Sequence, residues 1–469
     1  MPAQIRSNRA VVLGMACLGQ FMVLLDSTIV SVALPDMQKE LHTQLTGLQW
    51  IVDAYVLLVA MLLLTGGVFA DRFGRKRMFL TGAVVFTLAS VVCALAPSLE
   101  WLITGRVLQG VGAAALSPGS LALLAAAYPV PQERVKAIGL WAGLSGIGLA
   151  AGPLAGGILV EAFGWPAIFL VNVPIGAILV FAALPTLSES RNPHAAAIDI
   201  PGTVLSILGV GALTYGLIEG GSQGWTSPVI LGSFAAAVVI LAAFIAVEAR
   251  SPAPMLPLRL FREQLFTVSN TAMVMVGFAL MGSVFFFSQF FVAVQGSSIL
   301  GAGLKTLPIS LAMVIVSPYA GRLAAKYGFR GVVTTGLAVA GLGLLTLGFV
   351  RADTAYWDVS WRLVIAGAGF ALTMSPLTGA AIQSVNPRDG GLASGISSTT
   401  RQIGAVLGVA VLGAIVHARE SGGGSFEAGL GSAFVTAGVA TLVTAAFTGL
   451  WLVKSKPAEV LVPQAQTTD

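Results

Sequence analysis

The chain of 469 residues is 56% hydrophobic and only 10% charged, with a mean hydropathy of +0.89. A soluble domain averages about 25% charged residues, so the composition excludes a soluble protein and turns the long apolar runs into membrane spans. The net charge of +5 is spread over short loops, which excludes nucleic acid as a partner; Cys17 and Cys93 lie inside apolar runs and the three histidines are scattered, so neither a disulfide framework nor a metal site is expected.

The first run, Val11 to Pro35, is long enough to span, since a bilayer takes about 20 apolar residues. Arg6 and Arg9 give it the start of a signal peptide, but its length, Asp26 and the lack of a cleavage site predict an uncleaved first span. A carboxylate in hydrocarbon costs about 2.5 to 3.5 kcal/mol on insertion scales, so Asp26 is a functional candidate by default. Fourteen spans are expected in all: 10–34, 49–70, 78–97, 101–128, 136–160, 166–186, 200–219, 227–247, 266–292, 301–320, 331–350, 360–384, 392–416 and 432–453. With the N-terminus inside, 18 Lys and Arg fall on the cytoplasmic side and 5 outside, while Arg106 and Arg401 lie within spans. That bias predicts both termini in the cytoplasm. Residues 1–186 and 263–453 then hold six spans each. Two additional spans occupy 187–250, a Pro-rich basic cytoplasmic linker 251–262, and a short disordered tail 454–469.

The loop Gly67-Val-Phe-Ala-Asp71-Arg72-Phe-Gly74-Arg75-Lys76-Arg77 carries the strongest local signal. Its glycines allow a tight turn, and Asp71 is suited to accept hydrogen bonds at a neighbouring helix N-terminus, as a conformational latch. A related loop, Gly321 to Arg330, has Ala325 in place of Asp71, so a latch there is weaker. The two are read as a recurring loop type and not as proof of duplication. Arg106 and Asp26 sit at depths that differ by about 6 Å at 1.5 Å per residue, which permits a charge pair that tunes proton affinity; a static ion pair fixing helix packing is the competing reading. Asp53 reads equally as a second protonation site or as an interfacial residue in water, and Glu219 as a loop carboxylate. Gly148, Gly152 and Gly156 recur every four residues on one face of span 5, where small residues admit close helix approach, and Pro153 bends the span. Such a contact suits two bundles that rock, against the alternative of static packing. Arg401 near the midplane reads as a substrate contact or as a partner of backbone carbonyls. Gln289 and Phe286 in span 9 and Met374 in span 12 are candidate walls of an apolar, aromatic cavity.

The loop Gly67 to Arg77 resembles the signature of the major facilitator superfamily. Leu25 to Pro35 is similar to the first-helix motif of its fourteen-span drug:proton antiporters, and Leu102 to Gly112 to the superfamily's fourth-helix motif. Gly148 to Gly157 matches the antiporter motif GxxxGPxxGG, and Met255 to Phe261 and Thr400 to Gly404 also resemble that subfamily. The resemblance covers nearly the whole chain. It implies an all-α integral membrane fold of two six-helix bundles around a central cavity, an extra central helix pair, and alternating access by rocking. The candidates for proton coupling are thus Asp26, Arg106 and Asp53; for the latch Gly67, Asp71, Arg72, Gly74 and Arg75; and for the helix-packing antiporter motif Gly148, Gly152, Pro153, Gly156 and Gly157.

The leading functional expectation is a monomeric, proton-driven exporter of small amphipathic drugs or antibiotics in the cell membrane, with the proton gradient in place of a cofactor. A narrow exporter of one natural product is the alternative within transport. A non-transporting sensor would need a soluble signalling segment, and an enzyme a nucleophile–base or metal constellation; the sequence has neither spacing.

Overall fold

The computed structural model describes residues 9–128, 130–190, 199–386 and 390–452; the tail expected at 454–469 lies outside them, and at Asp71 and over much of 131–150 the description stops at the backbone. Among the described residues the secondary structure is entirely helical. The helices are α1 (Arg9–Glu40), α2 (Leu45–Phe73), α3 (Arg75–Ala94), α4 (Leu99–Ala127), α5 (Pro131–Phe163), α6 (Ala167–Thr186), α7 (Ile200–Gln223) and α8 (Pro228–Arg250). They continue as α9 (Gln264–Gln289), α10 (Ile299–Tyr327), α11 (Phe329–Leu347), α12 (Tyr356–Gln383), α13 (Gly390–Ser421) and α14 (Phe426–Trp451). Among the described residues, thirteen of these stretches are long and apolar enough to cross a membrane; α5, 33 residues long, contributes the shorter apolar run Ala151–Phe163.

Two helices depart from regularity for local reasons. In α6 the helix stops at Leu170 and restarts at Asn172. Pro174 has no N–H to give the Leu170 carbonyl, so the turn opens there. Helix α9 runs on through a π turn over Phe290–Val294, beyond the expected end at 292.

The packing of α1–α6 repeats in α9–α14. Pairs α1·α5, α2·α4, α3·α4 and α3·α6 recur as α9·α13, α10·α12, α11·α12 and α11·α14. Close backbone approach repeats as well. A methyl group on Gly112 would stand 2.6 Å from the Phe86 nitrogen across α3 and α4, and one on Gly343 would stand 2.7 Å from the Ala366 nitrogen across α11 and α12. Small residues make such approaches possible where the bilayer supplies no hydrophobic drive between helices. The two Gly-rich loops turn out to be equivalent, correcting their reading as a mere loop type. Gly74 ends α2 with φ 116° and Gly328 ends α10 with φ 82°, each after the second helix of its set. Only glycine enters that region without strain.

The two sets meet through α5·α10 and α2·α13. Methyl groups on Gly157 and Gly303 would strike Leu300 and the Pro153 carbonyl respectively, and the Gln49 amide donates to the Val409 carbonyl at 2.8 Å. These contacts lie toward the helix ends opposite the Gly74 and Gly328 turns. Helices α7 and α8 pair with each other, and α7 leans on α2 and α13. The linker is tied down at its root: Leu256 N donates to Glu248 Oε2 at 2.9 Å, and Leu260 is buried beside Phe266, Ala381 and Ile396.

Candidate functional site

Asp26 sits at the centre of a buried polar knot to which five helices contribute. Arg106 Nη1 on α4 lies 2.5 Å from Asp26 Oδ2, with the two side chains 1% and 0% exposed. The other carboxylate oxygen accepts from Gln109 Nε2 at 3.1 Å and from Asn172 Nδ2 at 2.9 Å. Gln109 also donates to Ser90 Oγ on α3 at 2.8 Å. Arg106 is held on its remaining sides: Nε donates to the Ile51 carbonyl of α2 at 3.0 Å, Nη1 to Gln109 Oε1 at 2.9 Å, and its guanidinium lies 4.2 Å from the Tyr55 ring centroid. A buried pair is sustained only when its other lone pairs and protons find partners, and these supply them. Each member of the knot is fully or almost fully buried.

The sequence positions explain the assembly. Arg106 and Gln109 are three residues apart and share one face of α4. Asn172 opens the restarted half of α6, so the break at Val171 aims its amide at Asp26. Gln109, Asn172 and Ser90 are functional candidates that sequence reasoning passed over. An uncharged amide in an apolar span costs far less than a carboxylate and draws less notice. Asn172, alone in an otherwise apolar stretch, was the readable signal.

A cavity lies beside the knot, between α1, α2, α5, α9, α10, α12 and α13, with about 1010 Å³ of space not filled by atoms, its open part included. Leu24, Ser27 and Thr28 of α1 line it, as do Tyr55 and Val56 of α2, so Asp26 is one helix position from its wall. Phe287, Met281, Met374 and Arg401 line its other side. Of the four residues expected at a cavity wall, Met374 and Arg401 line this one. Phe286 and Gln289 do not line the cavity; both are buried, and Phe287 faces it instead. Successive helical residues point about 100° apart at 3.6 residues per turn, so adjacent phenylalanines in α9 cannot share a wall. Among the described residues, Arg401 donates to Gln402 Oε1 at 3.4 Å and to no backbone carbonyl.

Asp53 is not brought to the knot or to the cavity. It is fully buried, and among the described residues nothing hydrogen-bonds its carboxylate oxygens. The interfacial reading in water therefore falls. Asp53 follows Gln49, which bonds Val409 of α13, and Trp50, whose Nε1 donates to Glu219 Oε1 of α7 at 3.1 Å. It lies on the α2 face turned to those two helices. Glu219 is accordingly a tie between α7 and α2.

The Gly-rich stretch of α5 divides between two neighbours. Methyl groups on Gly148, Gly152 and Gly156 would meet Phe21, Thr28 and Ile29 of α1, whereas Pro153 and Gly157 abut α10. The face read as a sliding contact between bundles therefore packs within the first set, and the adjacent face, about 100° around the helix, meets the second.

The stretch read as a loop is helical up to Phe73 and again from Arg75, with Gly74 alone as the turn. Gly67 in the last turns of α2 is open, Arg72 is exposed and Arg75 N donates to the Ser190 carbonyl at 3.0 Å. The carboxylate of Glu189 caps α3: it accepts from Lys76 N at 3.1 Å and from Arg77 N at 3.2 Å. Gly74 brings no side chain to its own cap position, and a methyl group there would stand 2.5 Å from Glu189. Sequence reasoning assigned such a cap to Asp71, whose side chain lies outside the description. Glu189→Ala should lower thermal stability by about 0.5 to 1 kcal/mol, as loss of an N-terminal cap does. Unchanged unfolding in detergent would show that the cap contributes nothing.

This helical arrangement, duplicated about a central cavity, defines a membrane transporter, and the chain belongs to the Major Facilitator Superfamily, whose family model matches residues 16–409 and again 295–467. It is therefore a multi-pass membrane protein of a transporter family and not an enzyme. It is 42% identical over 401 residues to the multidrug resistance protein Stp of Mycobacterium tuberculosis (strain ATCC 25618 / H37Rv), covering 86% of this chain and 74% of that one. It is 37% identical over 442 residues to the methylenomycin A resistance protein of Bacillus subtilis (strain 168), covering 94% of both. It is 35% identical over 402 residues to the tetracenomycin C resistance and export protein of Streptomyces glaucescens, covering 86% and 74%. Its fold is similar to that of the nucleoside transporter NupG, with a TM-score of 0.67 at 12% identity over 93% of this chain and 99% of that one.

Proposed function

We propose that this protein exports small amphipathic drugs or antibiotics across the cell membrane in exchange for protons, as a monomer with fourteen spans and both termini in the cytoplasm. Residues 1–186 and 263–453 form the two bundles, 187–250 the added pair, and 251–262 the cytoplasmic linker. The observation that carries the reading is the Asp26–Arg106 pair buried one helix position from the cavity wall. Protonation of Asp26 cancels the charge that holds Arg106 Nη1. Arg106 keeps Ile51 and Gln109, so α4 and α2 stay joined while α1 is released. Helix α1 carries Ser27 and Thr28 into the cavity and packs on the Gly148–Gly152–Gly156 face of α5. One proton at Asp26 thus acts on cavity wall and helix packing together. With the Gly74 and Gly328 turns on the cytoplasmic side, the two bundles are closed at their outer ends, the closure expected of a state that loads from the cytoplasm. The latch around Gly67, Asp71, Arg72, Gly74 and Arg75 works with Glu189 at the start of α3, and Asp53 is a second, separate carboxylate for coupling.

The names of the relatives favour two breadths of substrate. One is a multidrug resistance protein, and others are named for a single antibiotic. Reconstitution tests the shared claim. An imposed pH gradient should drive accumulation of an amphipathic drug in proteoliposomes, and collapsing the gradient should stop it; uptake indifferent to the gradient would dismiss proton exchange.

A further inference from the structure

Arg401 is the only charged residue lining the central cavity, among the described residues. The Asp26 carboxylate is turned to Arg106, Gln109 and Asn172, and Asp53 lies on another face of α2. Among the described residues Arg401 has no carboxylate partner, and its one side-chain hydrogen bond is the 3.4 Å contact with the neighbouring Gln402. The guanidinium is enclosed by protein, so its remaining exposed surface is that of the cavity. It cannot snorkel away. It stands eleven residues from the start of α13, about 16 Å along the helix at 1.5 Å per residue. Its turn is also locked: a methyl group on Gly277 of α9 would strike the Arg401 carbonyl, and one on Gly404 would strike the Val274 carbonyl.

We propose that the cavity selects amphipathic anions, carboxylates above all, over the lipophilic cations of the same shape. The inference rests on the exporter reading and deepens it. An uncompensated guanidinium in a poorly solvated site is costly, and a substrate carboxylate relieves that cost with two parallel charge-assisted hydrogen bonds. The Ser310 hydroxyl lines the cavity where a second polar edge would sit, while Phe287 and Met281 receive the apolar body. A cation would meet the same guanidinium with no carboxylate in the lining to offset it.

The test is equilibrium binding of three matched amphiphiles to the purified full chain in detergent: p-octylbenzoate, p-octylbenzamide and p-octylphenyltrimethylammonium. The benzoate should bind tighter than the ammonium compound by on the order of tenfold, the scale of one charge-assisted contact. Arg401→Gln should erase the difference, and Arg401→Lys, which keeps the charge without the fork, should keep part of it. Equal or tighter binding of the ammonium compound to wild type would overturn the proposal, as would a preference that survives in Arg401→Gln. Should Arg401→Gln fail to fold, the wild type and Arg401→Lys decide. Efflux from cells separates the two claims. Export of the ammonium compound in preference to the benzoate defeats the anion proposal and leaves the exporter standing, whereas export of none of the three, or of any tested drug, defeats the exporter reading.

Discussion

Asp26→Asn should abolish proton-driven transport while leaving a folded protein. The amide has nearly the shape of the carboxylate, and its oxygen can still accept from Gln109 or Asn172. Arg106 keeps the Ile51 carbonyl, Gln109 Oε1 and the Tyr55 ring. What disappears is the group that changes charge. Arg106→Leu should fail differently. It leaves the Asp26 carboxylate buried at 0% exposure without its cation, and stranding one partner of a buried pair costs about 3 to 5 kcal/mol. Thermal unfolding in detergent should show both variants less stable than wild type, since each strands one charge of the buried pair. Arg106→Leu should be the worse, because in Asp26→Asn the guanidinium keeps its contacts to Ile51, Gln109 and Tyr55. Vesicle uptake should show no coupled transport by Asp26→Asn. Uncoupler-sensitive transport by Asp26→Asn would remove Asp26 from the coupling mechanism.

Gly152→Leu should stall transport. A methyl group at Gly152 already collides with the Thr28 hydroxyl and comes within 3.0 Å of the Ile29 nitrogen. The Ile29 atom is backbone, so relief requires α1 and α5 to separate. Overpacking of this kind costs about 1 to 3 kcal/mol or more. The displaced turn of α1 is the one that follows Asp26 and feeds Ser27 and Thr28 to the cavity, so the damage falls on transport as well as on stability. Gly152→Ala should be intermediate, and Gly67→Ala, where nothing lies within 4 Å, should be near neutral in stability. Full efflux by Gly152→Leu would dismiss the close approach of α1 and α5 as a requirement.

Much of this was legible in the sequence because charge in hydrocarbon is conspicuous. Depth along the helices was enough to bring Asp26 and Arg106 together, and the observed 2.5 Å contact follows it. The residues that complete the knot were harder to read. Gln109, Asn172 and Ser90 are uncharged, and only the third dimension converges them on one carboxylate. Asp53 read equally as a protonation site or as a residue in water, and what the sequence could not show is that α7 and α13 cover that face of α2. On α5 the spacing of Gly148, Gly152 and Gly156 correctly marked one face, yet spacing alone cannot name the neighbour, which is α1. A phenylalanine run cannot tell which ring faces a cavity, hence Phe287 in place of Phe286. The repeated loop was visible as sequence, and its meaning came from packing, where α2 and α10 hold equivalent positions.

The central claim is that Asp26 exchanges a proton in response to substrate. Proton release on drug addition to the detergent-purified protein, followed in weakly buffered solution with a pH indicator, tests it most directly. Wild type should release protons in proportion to bound drug, and Asp26→Asn should bind drug with that release lost. Drug-dependent release of the same size from Asp26→Asn would contradict the account.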